Sequence, residues 1–223
     1  MDAYWINLDD RKDRAAQCII QLSKIGIHAS RVSAVTRSEV RIVGNTKNQH
    51  YFQGIIACRM SHMRALNAFL SSTDDYGLIL EDDFLLSEKV KLSELLKIEG
   101  MMRMMNIDLL QIGFLPKGIS FPAFFSIPIS IFSNLLESVT LFLKYKDVSI
   151  PTIQGFLPGA HAYIVNREMA WHLIENAQTD IKIPMDLWLN AFAKAVKSES
   201  MLIYRLQFSI VAQNRDFKSD LQF

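Results

Sequence analysis

The sequence predicts a single α/β domain, and three observations carry that expectation. Short apolar runs of strand length alternate with longer segments of helical period. The chain opens as strand, charged turn and helix, which is how α/β folds begin. Half of the 223 residues are apolar, so one domain of this length can bury a substantial core. "AYWINL" (3–8) is a short buried strand. "DDRKDR" follows as a charged turn. Ala15, Cys18, Ile19, Leu22 and Ile25 then recur at helical spacing, and Gly26 is placed to end that helix. "ASRVSAV" (29–35) is a second strand, and the polar residues 38–53 read as a loop. Residues 54–72 form a strong helix and "YGLIL" (76–80) a strand. "LSELLKIEGMMRMM" is a helix in which Met101, Met102, Met104 and Met105 serve packing. "DLLQIG" (108–113) is a strand. "HAYIVN" (161–166) is a strand that runs into a helix over 167–177. A further helix follows Pro184, and "MLIYRLQFSIVAQ" closes the core. No internal repeat is visible.

The charge balance excludes one class of partner. Lys+Arg number 24 and Asp+Glu 23, a net charge of +1, whereas a nucleic-acid surface wants a clear basic excess. The two cysteines, Cys18 and Cys58, both fall in helical patterns and read as reduced thiols of a cytoplasmic protein, not as a disulfide framework. Asp2 stands where a signal peptide would need basic residues. His28, His50, His161 and His172 show no ligand spacing with cysteine, so zinc is not expected. No Gly-x-Ser-x-Gly elbow supports a serine hydrolase reading of Ser61 and His62.

Residues 119–136 carry no charge over a length that reaches the lower limit for a membrane span. Pro122, Pro128 and four serines break the pattern. The stretch reads as the centre of an apolar, flap-like insertion around 117–146, near the acceptor and touching lipid; plain core is the alternative.

"YGLILEDDF" (76–84) ends a buried strand in three adjacent carboxylates, Glu81, Asp82 and Asp83. In open α/β sheets ligands sit beyond the carboxyl ends of strands, and carboxylates there suit Mg²⁺ or Mn²⁺. Residues i and i+2 of extended chain point the same way. Glu81 and Asp83 are therefore the candidate metal ligands, and Asp82 turns to another partner. The competing reading is a solvated acidic turn. Arg11 and Arg14 are candidates for a donor diphosphate, against helix-end pairing with neighbouring acids. Asn7, at the first strand's end, is a candidate for the nucleoside. Asp186 is the candidate general base: Pro184 suits the start of a helix and places Asp186 in its first turn, where the dipole favours the ionised form. Asp180 and Asp220 are its rivals.

The chain resembles glycosyltransferase family 25, the lipooligosaccharide galactosyltransferase family. The resemblance rests on "INLDDRKDR" (6–14), "GIIACRMSH" (54–62), "LILEDDF" (78–84), "GAHAYIVNREMAWHLI" (159–174) with "IPMDLWL" (183–189), and "SIVAQNRDFKSDL" (209–221), in the family's order. It implies a GT-A-like single domain, a Rossmann-like mixed sheet flanked by helices. It also implies a UDP-sugar donor, commonly UDP-galactose, and inverting transfer to a glycan or lipid-linked oligosaccharide at the inner face of the cytoplasmic membrane. Ser61 and His62 would then line the donor pocket, together with Asn7, Arg11, Arg14 and Asp82. A divalent-metal phosphoesterase, or a non-catalytic glycan- or nucleotide-binding relic, are the alternatives.

Overall fold

A computed structural model describes residues 1–42, 48–86, 90–114, 152–154, 158–196, 201–206 and 209–214. The expected flap at 117–146 and the rival base Asp220 lie outside the described residues. The strands are β1 (Asp2–Asn7), β2 (Ala29–Ser33), β3 (Tyr76–Glu81), β4 (Phe84–Leu86), β5 (Leu109–Gly113), β6 (Thr152–Gln154), β7 (Ala162–Asn166), β8 (Ile203–Leu206) and β9 (Val211–Gln213). The helices are α1 (Lys12–Ile25), α2 (Gln49–Leu70), α3 (Leu92–Met105), α4 (Arg167–Glu175) and α5 (Met185–Ala195). The strands form one mixed sheet in the order β2-β1-β3-β7-β5-β8-β6, with β9 joining β4 to β5. Its first part is parallel: β1 pairs with β2 and β3, and α1 and α2 make the crossovers. Antiparallel β7 is inserted between β3 and β5.

Alternation along the strands fills two cores, one on each face of the sheet. Ala3, Trp5, Leu78, Leu80, Leu110 and Ile164 face α1 and α3, where Cys18, Leu22, Leu95, Ile98 and Met102 cover them. Tyr4, Ile6, Ile79, Leu109, Tyr163 and Val165 face α2, α4 and α5, where Leu66, Phe69, Leu173, Trp188 and Phe192 pack. Helices on both faces of a mixed sheet are the expected α/β architecture. Gly77 sits where this packing is tight: a Cβ there would lie 2.7 Å from the Phe69 ring.

Local signals explain the helix ends. Gly26 closes α1 in the left-handed region (φ 72°), its N–H reaching Leu22 and Ser23 carbonyls. The Asn166 side chain accepts from Met169 N–H (2.8 Å) and starts α4. α2 departs from expectation by beginning at Gln49, inside the stretch read as loop. Asn48 gives that start no side-chain cap, so the sequence carries no start signal there. The first turn is instead held from outside, by Gln53 Nε2 donating to the Val40 carbonyl (2.9 Å). Met101 and Met102 are packed as expected, whereas Met104 is 76% exposed.

Candidate active site

β3 ends at Glu81, and the turn that follows it distributes the three acids. Glu81 continues the Ile79 side of β3 and meets α2. His62 Nε2 lies 3.1 Å from Glu81 Oε1. Asp82 continues the Leu80 side and meets α1 and β1. It accepts from Arg14 Nη1 (2.7 Å) and Asn7 Nδ2 (2.7 Å). Arg14 and Asp82 are both almost fully buried, so this is an interior ion pair with hydrogen-bonded partners. Asp83 meets the last described strand. Gln213 Nε2 donates to its Oδ2 (2.8 Å), and Asn214 N–H donates to its carbonyl. Three adjacent negative charges are thus divided among three elements. The sheet brings Asn7, Arg14 and Asp82 together as one group, and His62 and Glu81 as another.

The remaining repulsion falls on Asp83. Burial, and then the charge of Glu81, push its pKa up to about 7, although Gln213 pulls the other way. Burial also acts to raise Glu81. The hydrogen bond and charge of His62, helped by His161 and Arg14, outweigh that, and the Glu81 pKa falls below its ordinary value. Glu81 is therefore ionised, and Asp83 holds a proton near neutrality. Asp83 Oδ1 is buried without a hydrogen-bond partner. A buried, orphaned carboxylate oxygen beside an ionised carboxylate is what a hard divalent cation would relieve. Glu81 and Asp83 fit such an ion.

Behind Glu81 runs a buried polar chain. His62 Nδ1 lies 3.1 Å from the Tyr163 hydroxyl, and the two rings stack at 5.8 Å and 20°. A carboxylate only accepts, so the Nε2 proton of His62 points to Glu81. The Tyr163 phenol, whose pKa burial pushes well up, stays protonated and serves Nδ1 as donor or acceptor. Cys58 stands one helical turn before His62 on α2. Burial, then the charges of Glu81, Asp186 and Asp83, raise its pKa well above the ordinary thiol value. Asp186 therefore lies in the same electrostatic neighbourhood as the acidic cluster. Burial and the charges of Asp82 and Asp83 push Cys18 up to about 12. Both cysteines are free thiols, Cys18 buried and Cys58 half-buried.

Asp186 is fixed at the start of α5. Its Oδ1 accepts from Leu187 N–H (2.8 Å) and its Oδ2 from Gly159 N–H (3.0 Å). Gly159 adopts φ 102°, a conformation that glycine tolerates, and its carbonyl accepts from Gln111 Nε2 (2.6 Å). The preceding loop is held by Arg59 of α2. Its guanidinium donates to the carbonyls of Ala177, Thr179, Asp180 and Ile183, and it lies 4.6 Å above the Trp188 ring. One helix thus carries His62 to the acids and positions the segment that ends in Asp186.

Two expected donor-pocket residues have partners within the fold. The Ser61 hydroxyl donates to Ala57 O (2.7 Å) and accepts from Val35 N–H (2.8 Å), tying α2 to the segment after β2. Arg11 pairs with Asp13 at the exposed start of α1 (2.9 Å). Three residues were not singled out from sequence: Cys58, Tyr163 and Gln213. The i, i+4 spacing of Cys58 and His62 on a strong helix was a readable signal. Gln213 lies in a segment that carries the family resemblance. Tyr163 lies in another such segment, residues 159–174, with no signal of its own beyond its place in a strand.

The model of glycosyltransferase family 25 (LPS biosynthesis protein) matches residues 1–189, the span that contains the acidic cluster, His62 and Asp186. The chain belongs to glycosyltransferase family 25. No curated protein sequence matches it. Among solved structures, this family-25 chain is similar to a glycosyltransferase involved in the glycosylation of the major capsid of PBCV-1. Identity is 10% and the TM-score 0.38, over 80% of this chain and 66% of that one. The chain thus spans slightly less than two thirds of that structure's length.

Proposed function

We propose that this chain transfers a sugar, galactose from UDP-galactose, to a lipooligosaccharide-type glycan with inversion. The observation that carries the reading is the orphaned Asp83 Oδ1 beside ionised Glu81, at the carboxyl end of a strand in a family-25 domain. Glu81 and Asp83 would hold Mn²⁺ or Mg²⁺, which when bound neutralises charge on the donor diphosphate. Asp82 works through others: it fixes Arg14 and Asn7 at the mouth of the first crossover, the side on which the donor nucleotide is placed. His62, held by Tyr163, orients Glu81. Asp186 takes the proton of the acceptor hydroxyl as that oxygen bonds to the anomeric carbon and the bond to the diphosphate breaks, releasing UDP. Its two backbone N–H partners and its helix N-terminus support an ionised, oriented carboxylate.

A lipid-linked acceptor would bring the chain to the inner face of the cytoplasmic membrane as a peripheral protein. The charge-free composition of residues 119–136 supports that contact. Among the described residues no helix is long and apolar enough to cross a membrane. The test is incubation with UDP-galactose, Mn²⁺ and a lipooligosaccharide acceptor. Release of UDP with a matching mass gain on the acceptor supports the reading. UDP-galactose left intact across a panel of glycan acceptors would sink it.

A further inference from the structure

The side chains of Cys58, His62 and Glu81 come together in a cluster of a different donor chemistry from that of Glu81 and Asp83. Among the described residues they are the group whose ligand atoms, one from each, all lie within 4.8 Å of one another. We infer that this triad binds a borderline divalent cation of the zinc type, through Cys58 Sγ, His62 Nε2 and a Glu81 carboxylate oxygen.

The donor set decides the class of ion. Sulfur and imidazole nitrogen select zinc-like ions over Mg²⁺ and Mn²⁺, which prefer oxygen. The spacing fits as well. Zinc-to-nitrogen and zinc-to-oxygen bonds of about 2.0–2.1 Å make a tetrahedral edge of roughly 3.3 Å. His62 Nε2 and Glu81 Oε1 are already 3.1 Å apart. Cys58 and Glu81 are only half-buried, so small side-chain rotations bring the third atom in. Three protein ligands leave a fourth position open, as in zinc sites that accept an outside ligand. Cys58 and His62 are one turn apart on α2, so the helix pre-aligns two of the three ligands.

A metal-bound histidine needs a partner for its other ring nitrogen. Tyr163 lies 3.1 Å from His62 Nδ1. Its hydroxyl can donate or accept, so it serves the histidine when Nε2 is bound to a proton and when Nε2 is bound to a metal. Cys58 binds as thiolate and its proton passes to the buffer; His62 Nε2 gives up its proton as well, and the neutral ring keeps its N–H at Nδ1, donated to the Tyr163 hydroxyl. The charge of Asp186 also acts at Cys58 and favours a dication there. Because Glu81 is shared, zinc here and the hard cation proposed above exclude each other. The inference does not rest on sugar transfer, and its test measures binding.

The experiment is a Co²⁺ titration of the full chain, with Co²⁺ as the spectroscopic stand-in for Zn²⁺, run beside alkylation of the cysteines mapped by mass spectrometry. We expect a cobalt–thiolate charge-transfer band that Zn²⁺ abolishes, and Zn²⁺ protection of Cys58 but not of Cys18. In Cys58→Ser the band should vanish and Zn²⁺ affinity should fall by about 100-fold or more, the upper end of the loss caused by removing a group that only orients a ligand. Co²⁺ binding without a thiolate band, or Cys58 alkylation unchanged by Zn²⁺, overturns the site. Both wild-type measurements decide the matter even if the variant does not fold.

Discussion

Asp83 is the residue on which the account turns, and its protonation has a signed consequence. Its folded pKa of about 7 lies above the ordinary 3.8. Between those values the native chain holds a proton that the unfolded chain has released, so metal-free stability falls as pH rises through that window. Asp83→Asn keeps an acceptor for Gln213 but cannot ionise. Urea unfolding in EDTA at about pH 5 and about pH 8 should show wild-type stability dropping and the variant's curve flatter. Equal slopes would contradict the assignment. Asp186→Asn retains a carbonyl oxygen for one of the two backbone donors and loses the base. Transfer should fall by roughly 10²–10⁴-fold with donor affinity kept; a near wild-type rate would point instead to Asp220. At this scale the sequence was partly legible. The i, i+2 rule sent Asp82 to a partner of its own, which Arg14 and Asn7 supply, but it did not foresee that Glu81 meets α2 while Asp83 meets Gln213. The uses of Ser61 and Arg11 were not legible, because a hydroxyl bonded to Val35 and a guanidinium bonded to Asp13 look the same in sequence as ligand-binding groups.

Among the elements, α2 is the one that organises the site. Cys58, Arg59, Ser61 and His62 fall within two turns of it and reach four different parts of the fold. Arg59 is fully buried, and burial draws its pKa down to about 10, which leaves it charged near neutrality. Its acceptors are loop carbonyls, so Arg59→Met unpairs several at once. The expected loss is at least about 2 kcal/mol, since hydrogen bonds to charged groups contribute about 1.5–3 kcal/mol each. It should be read as a lower denaturation midpoint at unchanged m-value. A variant as stable as wild type would mean that the loop before Asp186 is held by other contacts. Helical and strand periodicity located the helices and β1, β2, β3, β5 and β7, because each buries one alternating or striped face; β4 and β6, three residues each, are too short to show a period. The start of α2 was hidden, because the contact that fixes it, Gln53 to Val40, comes from outside the helix.

At the scale of the whole molecule, the sheet brings distant segments of the chain to one place. β1 supplies Asn7, α1 Arg14, α2 His62, the turn after β3 the acids, α5 Asp186 and β9 Gln213. That convergence was legible only through ordered family-like motifs. No single spacing in the sequence announces that residue 213 touches residue 83. The central claim is metal-dependent sugar transfer at Glu81 and Asp83. The most direct test compares wild type and Asp83→Asn for UDP release from UDP-galactose with a lipooligosaccharide acceptor, each with Mn²⁺ and with EDTA. Wild type should release UDP with Mn²⁺ alone, and Asp83→Asn, still folded, should not. Release by wild type in EDTA, or by Asp83→Asn at a rate close to wild type, would contradict the claim.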